Sequence, residues 1–375
     1  MEDAKSREPL PDGLHVGLSM ADHVAEKALS GGAFKVLLTE PAGLWWESDA
    51  NPLYVAPEPS SRRHYLRGHA VHAAVLEGIE EYEAGFVIKP EGVMTTLEDL
   101  KDFLRAKRAE HEAKLGPDVK LSRDEAKPYL MTGDRADLIA RVRALDPEAR
   151  IWDAESESRA ILLAEDDEYV RVVQRFISQD PAYAPHLSGG VAELSYFWTE
   201  DGVRYKIRPD FLNPQTVLDL KSYGRAPRRG QSLRQHCVRE IALNGADLQA
   251  VHNHRGVMRC AAEYASGKLQ VHAHGEKGRR LAERAEQVIS AIASNEEPPL
   301  FRWLYVRMGG APTAIMLPFR TTNSQWAIAE QDIEDAVDIF KGFRETCGAG
   351  IWMASVGEVE IDDYDWPQGM MREPS

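Results

Sequence analysis

The chain has 375 residues, 43% hydrophobic and 28% charged, with 45 basic against 60 acidic side chains for a net charge of −15. That is length for about two domains and a full buried core, and the acidic balance excludes a generally basic, coat-like nucleic-acid binder, so any nucleic-acid contact needs a local basic stripe. No run approaches eighteen consecutive apolar residues, the N-terminus lacks the order of a secretory signal, and Cys237, Cys260 and Cys347 stand alone, which argues against a membrane span or a four-thiolate metal site and for a reducing, cytoplasmic setting.

In chain order, the first fifty residues read as short helices broken by turns. Ser19 is an N-cap ahead of a helical pattern that stops at Gly31-Gly32. Residues 51–63, rich in proline and serine, read as a loop. From Arg67 to Gly78, Val71 and Val75 (or Ala70 and Ala74) fall at i, i+4 spacing and predict a buried helix.

Residues 91–150 change character. Thr95-Thr96-Leu97-Glu98-Asp99 opens a charged helix with a threonine cap and an acidic first turn, and Gly133 to Val142 opens a second. The stretch reads as a helical insert and resembles, weakly, the two-helix DNA-binding SAP motif. The chain then divides into N-terminal helices and the first part of a core (1–90), the insert (91–150), the main core (151–320), and a C-terminal helix and tail (321–375).

From 151 onward helix and strand signals alternate. Residues 165–173 look helical, and Val191 to Trp198 alternates as a strand would. Residues 203–212 and 216–221 are two β-like runs joined by Asn213-Pro214-Gln215, a hairpin. Leu233–Asn244 and Gly278–Ser294 are helical, 247–252 is ambiguous, 301–307 and 312–320 form a closing β pair, and 332–347 is a last helix before a polar tail. The fold class is α/β, a central mixed β-sheet flanked by helices with a helical insertion.

Chemistry concentrates in the hairpin. Arg208-Pro209-Asp210 is followed, after eight intervening residues, by Asp219-Leu220-Lys221. Side chains alternate along a strand, so Asp219 and Lys221 share a face, and the hairpin folds Asp210 back beside Asp219. Two hard oxygen ligands suit Mg²⁺, with Mn²⁺ as a substitute, and a lysine two residues on can orient or deprotonate an attacking water. The carboxylates sit in apolar runs, where ionised groups need a cation. Residues 201–230 also hold seven basic side chains (Arg204, Lys206, Arg208, Lys221, Arg225, Arg228, Arg229) against three acidic ones, a positive stripe next to a carboxylate pair. His272-x-His274 places two imidazoles on one strand face without a visible third ligand.

Asp210 with Asp219-Leu220-Lys221 resembles the motif of the PD-(D/E)XK nuclease superfamily, and the surroundings resemble its RecE/exonuclease VIII-like branch. The block Gly68-His69-Ala70-Val71-His72-Ala73-Ala74-Val75-Leu76-Glu77 is similar to that branch's histidine helix, and Ala192-Glu193-Leu194-Ser195 to its acidic strand. Leu18-Ser19, Leu37-Leu38 and Pro41-Ala42 resemble its opening helices, and Asp332 to Trp366 its C-terminal end. The resemblance implies metal ligation by His72, Asp210 and Asp219, with the Leu220 carbonyl as an extra ligand. It implies Glu193 as an acidic group of the site, Lys221 positioning the attacking water, and Gln249 contacting DNA from a Q-x-x-x-Y motif whose tyrosine position is Asn253 here. Phosphate contacts are expected from Arg204, Lys206, Arg225, Arg228 and Arg229.

The resulting expectation is a Mg²⁺-dependent exonuclease resecting linear duplex DNA ends. Family likeness alone implies 5′-to-3′ polarity, a phage-type recombination role, a single-strand annealing partner and a homo-oligomer. A structure-specific endonuclease on the same fold, and an inactive DNA-binding protein, stay open.

Overall fold

A computed structural model describes residues 8–47, 63–116, 120–152, 159–348 and 350–353. The proline-rich stretch at 51–62 and the tail beyond Met353 lie outside the described residues. The order begins β1 (Gly13–Val16), α1 (Met20–Ala25), α2 (Gly31–Thr39), α3 (Pro41–Trp46) and α4 (Arg63–His72); a π-helical turn, Ala73–Glu77, continues α4. Next come α5 (Ile79–Gly85), β2 (Phe86–Ile88), α6 (Leu97–Leu115), α7 (Arg123–Ala126), α8 (Arg135–Leu145), β3 (Ala160–Leu162) and α9 (Ala164–Gln179). The strands β4 (Val191–Ala192), β5 (Ser195–Glu200), β6 (Val203–Ile207), β7 (Phe211–Asn213) and β8 (Thr216–Tyr223) follow. The chain closes with α10 (Leu233–Asn244), α11 (Ala246–Ala265), β9 (Val271–Ala273), α12 (Gly275–Ser294), β10 (Leu300–Arg307), β11 (Ala314–Phe319) and α13 (Ser324–Cys347).

The architecture is α/β with mixed sheets flanked by helices, as expected. Apart from the two-stranded β2-β3 sheet, the strands divide between a five-stranded sheet, β11-β10-β8-β7-β4, and a four-stranded sheet, β6-β5-β1-β9. In the first, β8 runs parallel to β10 and antiparallel to β7. Its two faces bury different cores. Leu218, Leu220, Leu304 and Val306 pack with Ala70, Val71, Val170 and Val173 of α4 and α9. Val217, Tyr223, Trp303 and Tyr305 belong to the larger core with Cys237, Ile241 and Leu248 of α10 and α11.

Local chemistry explains the helix ends. Ser19 caps α1, its hydroxyl accepting from the Asp22 amide. Thr96 with Asp99, and Ser232 with Gln235, form reciprocal capping boxes on α6 and α10. Leu100 and Leu104 of α6 pack on Leu138 and Val142 of α8 in a small core of their own. The parallel β2–β3 ribbon and a Met94–Ile151 bridge bracket this helical unit.

Three readings change. Gly31-Gly32 opens α2 instead of closing a helix: a Cβ at Gly31 would lie 2.6 Å from the Gln249 Cα, so the glycine is there for close approach to α11. The 203–212 run is not one strand, because Arg208-Pro209-Asp210 breaks it and sends β6 and β7 into different sheets. The tight hairpin is β7–β8, turning at Pro214-Gln215. Finally, β1 has no counterpart in the sequence reading, since four residues are too short for a visible alternation.

Candidate metal centre

β8 loses its partner β7 after the Phe211–Leu218 pair, while β10 stays paired on the other side as far as Arg307–Tyr223. From Asp219 onward one edge of β8 is therefore free of strand, and side chains satisfy its backbone. The Leu220 amide donates to Asp210 Oδ2 at 2.6 Å, and the Leu220 carbonyl accepts from His72 Nε2 at 2.9 Å. A carbonyl only accepts, so His72 carries its proton on Nε2. Its Nδ1 lone pair is left facing Asp210, 3.9 Å from Oδ2. Burial lowers the His72 pKa, which favours the neutral imidazole that ligates metals.

His72, Glu193 and Asp210 each offer one ligand atom, and these atoms all lie within 4.8 Å of one another. Glu193 reaches this position through a left-handed backbone, φ 58°, between β4 and β5. That conformation costs a non-glycine residue about 1–3 kcal/mol and interrupts the strand alternation. Its amide donates to the Asp210 carbonyl at 3.1 Å, and its carboxylate pairs with Arg208. Arg208, which the motif reading named without a role, also donates to Ser195 Oγ at 2.8 Å and to the Leu18 carbonyl at 3.0 Å.

Asp219 is 1% exposed. Its Oδ1 accepts from Lys221 Nζ at 3.0 Å and from Gln249 Nε2 at 3.2 Å. Oδ2 lies 2.9 Å from the same ammonium, yet it is buried with no aligned donor among the described residues. Gln249 completes a clamp, its Oε1 accepting from Lys221 Nζ at 3.0 Å. Burial works against charge on Lys221, but Asp219 and Asp210 outweigh it and raise the pKa. These two carboxylates favour the ammonium form of the lysine. Burial, then the neighbouring Asp219 and Glu193 carboxylates, pushes Asp210 well above the usual carboxylate range.

These donors fit a divalent cation. Two carboxylates, Glu193 and Asp210, with the His72 imidazole make an oxygen-rich set, and the Asp219 carboxylate lies on the strand beside it. The raised Asp210 is relieved by a nearby positive charge, and Asp219 Oδ2, ion-paired with Lys221 but without an aligned donor, can take one more cation contact.

Other predicted site residues are placed differently. The Leu220 carbonyl, expected as a ligand, is bonded to His72. Arg204 and Lys206, expected on phosphates, lie on β6 in the other sheet and serve the fold. Lys206 Nζ donates to the carbonyls of His23, Val24 and Glu26 at 2.8–3.1 Å. Arg204 pairs with the buried Glu26 at 2.7 Å and stacks over Phe197. Arg225, Arg228 and Arg229 are exposed in the segment that follows β8. Asn253, one turn along α11 from Gln249, is buried with its Nδ2 unbonded among the described residues.

The His272-x-His274 pair does gain a neighbour, His15 on β1, which sequence distance had hidden. Its Nδ1 bonds His274 Nε2 at 2.9 Å and its Nε2 bonds the Pro11 carbonyl at 3.0 Å, so both nitrogens are engaged. A cavity of about 750 Å³ lined by Pro214, His254, Arg302 and Trp326 holds none of the metal-centre residues.

No family model and no curated protein matches this chain. Among solved structures, it is similar to one from Eubacterium rectale described as a "Putative exonuclease". The two are 10% identical, with 87% of each chain covered and a TM-score of 0.42. No helix among the described residues is long and apolar enough to cross a membrane.

Proposed function

We propose that this chain is a divalent-metal-dependent deoxyribonuclease that hydrolyses phosphodiester bonds from the ends of linear duplex DNA. One observation carries the reading. The ligand atoms of His72, Glu193 and Asp210 converge within 4.8 Å, beside a strand edge where Asp219 and Lys221 are already paired.

His72, Glu193, Asp210 and Asp219 would hold the cation, Mg²⁺ or Mn²⁺. When bound, such an ion supplies Lewis-acid polarisation of a phosphoryl oxygen and neutralises charge. The protein's own residues do the rest. His72 is fixed in one tautomer by the Leu220 carbonyl, so the same nitrogen always faces the site. The Lys221 ammonium, aimed by Asp219 and Gln249, orients the attacking water and offsets the negative charge on the phosphoryl oxygens. Arg225, Arg228 and Arg229 give exposed positive charge for the backbone of the DNA.

The resemblance to the RecE-like branch adds 5′-to-3′ polarity, a homo-oligomer and a single-strand annealing partner to the proposal. Digestion of end-labelled linear duplex with Mg²⁺, with chelator, and beside a covalently closed circle tests it. Loss of terminal label from linear DNA only, and only with metal, is the expected result. Cutting of the closed circle would make the protein an endonuclease, and no cutting under any metal would overturn the reading.

A further inference from the structure

Arg307 ends β10 opposite Tyr223 of β8. In that parallel register Trp303 lies beside Asp219, Tyr305 beside Lys221 and Arg307 beside Tyr223. Alternation therefore puts Arg307 on the same sheet face as Asp219 and Lys221. It stands one two-residue step beyond the lysine, about 7 Å along the strand.

The side chain is half-buried. Its Nε is buried without an acceptor, and among the described residues its guanidinium forms no ion pair or hydrogen bond. Neighbouring elements treat arginine differently. Arg63 and Arg67 share Asp166, Arg171 takes Asp167, Arg204 takes Glu26 and Arg208 takes Glu193. A half-buried cation left unmatched on a chain of net charge −15 is unfavourable unless an anion joins it.

The position is also built. The turn after β10 carries Gly309 (φ +143°) and Gly310 (φ +70°), and a Cβ on Gly310 would lie 3.3 Å from Arg307 Cζ. Gly310, which carries no Cβ, thus lets the turn backbone approach the guanidinium closely. A planar donor fork placed in this way suits a phosphate.

We propose that Arg307 binds the backbone phosphate next to the one hydrolysed, and so sets the register of the DNA strand on β8. This rests on the nuclease reading. Binding of a labelled 20-base-pair duplex, with Ca²⁺ replacing Mg²⁺, would be titrated with salt for the wild type and for Arg307→Gln. The substitution should weaken binding about tenfold or more and reduce the slope of log K against log salt by about 0.9, the share of one neutralised phosphate on duplex DNA. With Mg²⁺, KM should rise while kcat stays within about twofold, the pattern of lost uniform binding.

If the wild type binds and cuts while Arg307→Gln shows the same affinity, slope and KM, this inference is overturned and the nuclease reading survives. A wild type that neither binds nor cuts removes both. Should the variant not fold, the unaltered protein answers instead. Duplex should shield Arg307 from an arginine-specific dicarbonyl reagent, and equal modification with and without duplex would overturn the proposal.

Discussion

Asp210 Oδ2 accepts the Leu220 amide at 2.6 Å, so the first acid of the motif is tied to the backbone of the strand that carries the second. The bond forms only because β7 has already left β8 at that point. One carboxylate thus has a structural role beside its proposed ligand role, and two substitutions separate them. Asp210→Asn keeps an acceptor for the amide, and Asp210→Ala removes it. Both should lower metal-dependent hydrolysis by at least about a thousandfold. Only the alanine variant should also lose about 1–3 kcal/mol in urea unfolding, the cost of an unsatisfied buried amide. Equal stability of the two variants would mean that the amide bond contributes nothing.

In the proposed site Lys221 and the cation would share Asp219, which gives the lysine an unusual signature. Lys221→Met removes the ammonium proposed to orient the attacking water, and hydrolysis should fall at least about a thousandfold. The same change frees Asp219 from its 2.9 Å ion pair. Mn²⁺ affinity measured by calorimetry should therefore hold or rise. A loss of Mn²⁺ binding would show that the lysine organises the ligands and does not compete with the metal.

Much of this centre was legible because it depends on local periodicity. Asp219 and Lys221 share a face whatever sheet they enter, and the hairpin turn after Asn213 lies one residue from its expected place. Long-range outcomes were not legible. Lys206 alternates in a strand just as Lys221 does, and nothing local says that its ammonium will be surrounded by the last carbonyls of α1. The break at Arg208-Pro209-Asp210 was written in the proline, but its effect, two sheets instead of one ribbon, required partners far along the chain. Arg307 carried no signal at all, since its meaning is its register beside Tyr223.

The two classes of basic residue should separate cleanly by experiment. Lys206→Ala leaves three backbone carbonyls without their donor, and thermal unfolding should show a loss of several kcal/mol, about 1–3 per unsatisfied group at most. Duplex affinity of the folded fraction should not change. Arg228→Gln with Arg229→Gln should do the reverse. Stability should stay within about 0.5 kcal/mol, while the salt dependence of binding drops by about 0.9 for each phosphate that is no longer neutralised.

Buried histidines give the fold an acid limit. Burial first of all lowers His15 and His252 to about 4, against about 6.5 in an unfolded chain. Above pH 6.5 both states are neutral and neither histidine contributes a pH dependence. As the pH falls below 6.5 the unfolded chain takes up protons that the native state refuses. Stability should then drop by up to about 1.4 kcal/mol per pH unit per histidine, until the native groups titrate near pH 4. His252→Gln can still donate to the Lys206 carbonyl, which His252 Nε2 reaches at 3.1 Å. Urea unfolding at pH 7.5, 6.5, 5.5 and 4.5 should show a slope smaller by about one histidine in this variant.

The tightest test of the clamp lies outside the centre. Gly31 opens α2 directly against Gln249, and a Cβ there would meet the Gln249 Cα at 2.6 Å, a clash with backbone that no rotamer relieves. Gly31→Ala must push α11 away from α2 and draw Gln249 off Asp219 and Lys221, which it reaches at 3.2 and 3.0 Å. Overpacking of this kind costs about 1–3 kcal/mol. The adjacent Gly32 has nothing within 4 Å of an added Cβ, so Gly32→Ala should be neutral or stabilising by up to about 1 kcal/mol. Hydrolysis by Gly31→Ala should fall at temperatures where the variant is fully folded, with kcat affected more than KM if the hydrogen bonds of Gln249 to Lys221 and Asp219 are what it contributes. A rise in KM with kcat intact would instead return Gln249 to the DNA-contacting role that the Q-x-x-x-Y resemblance implies.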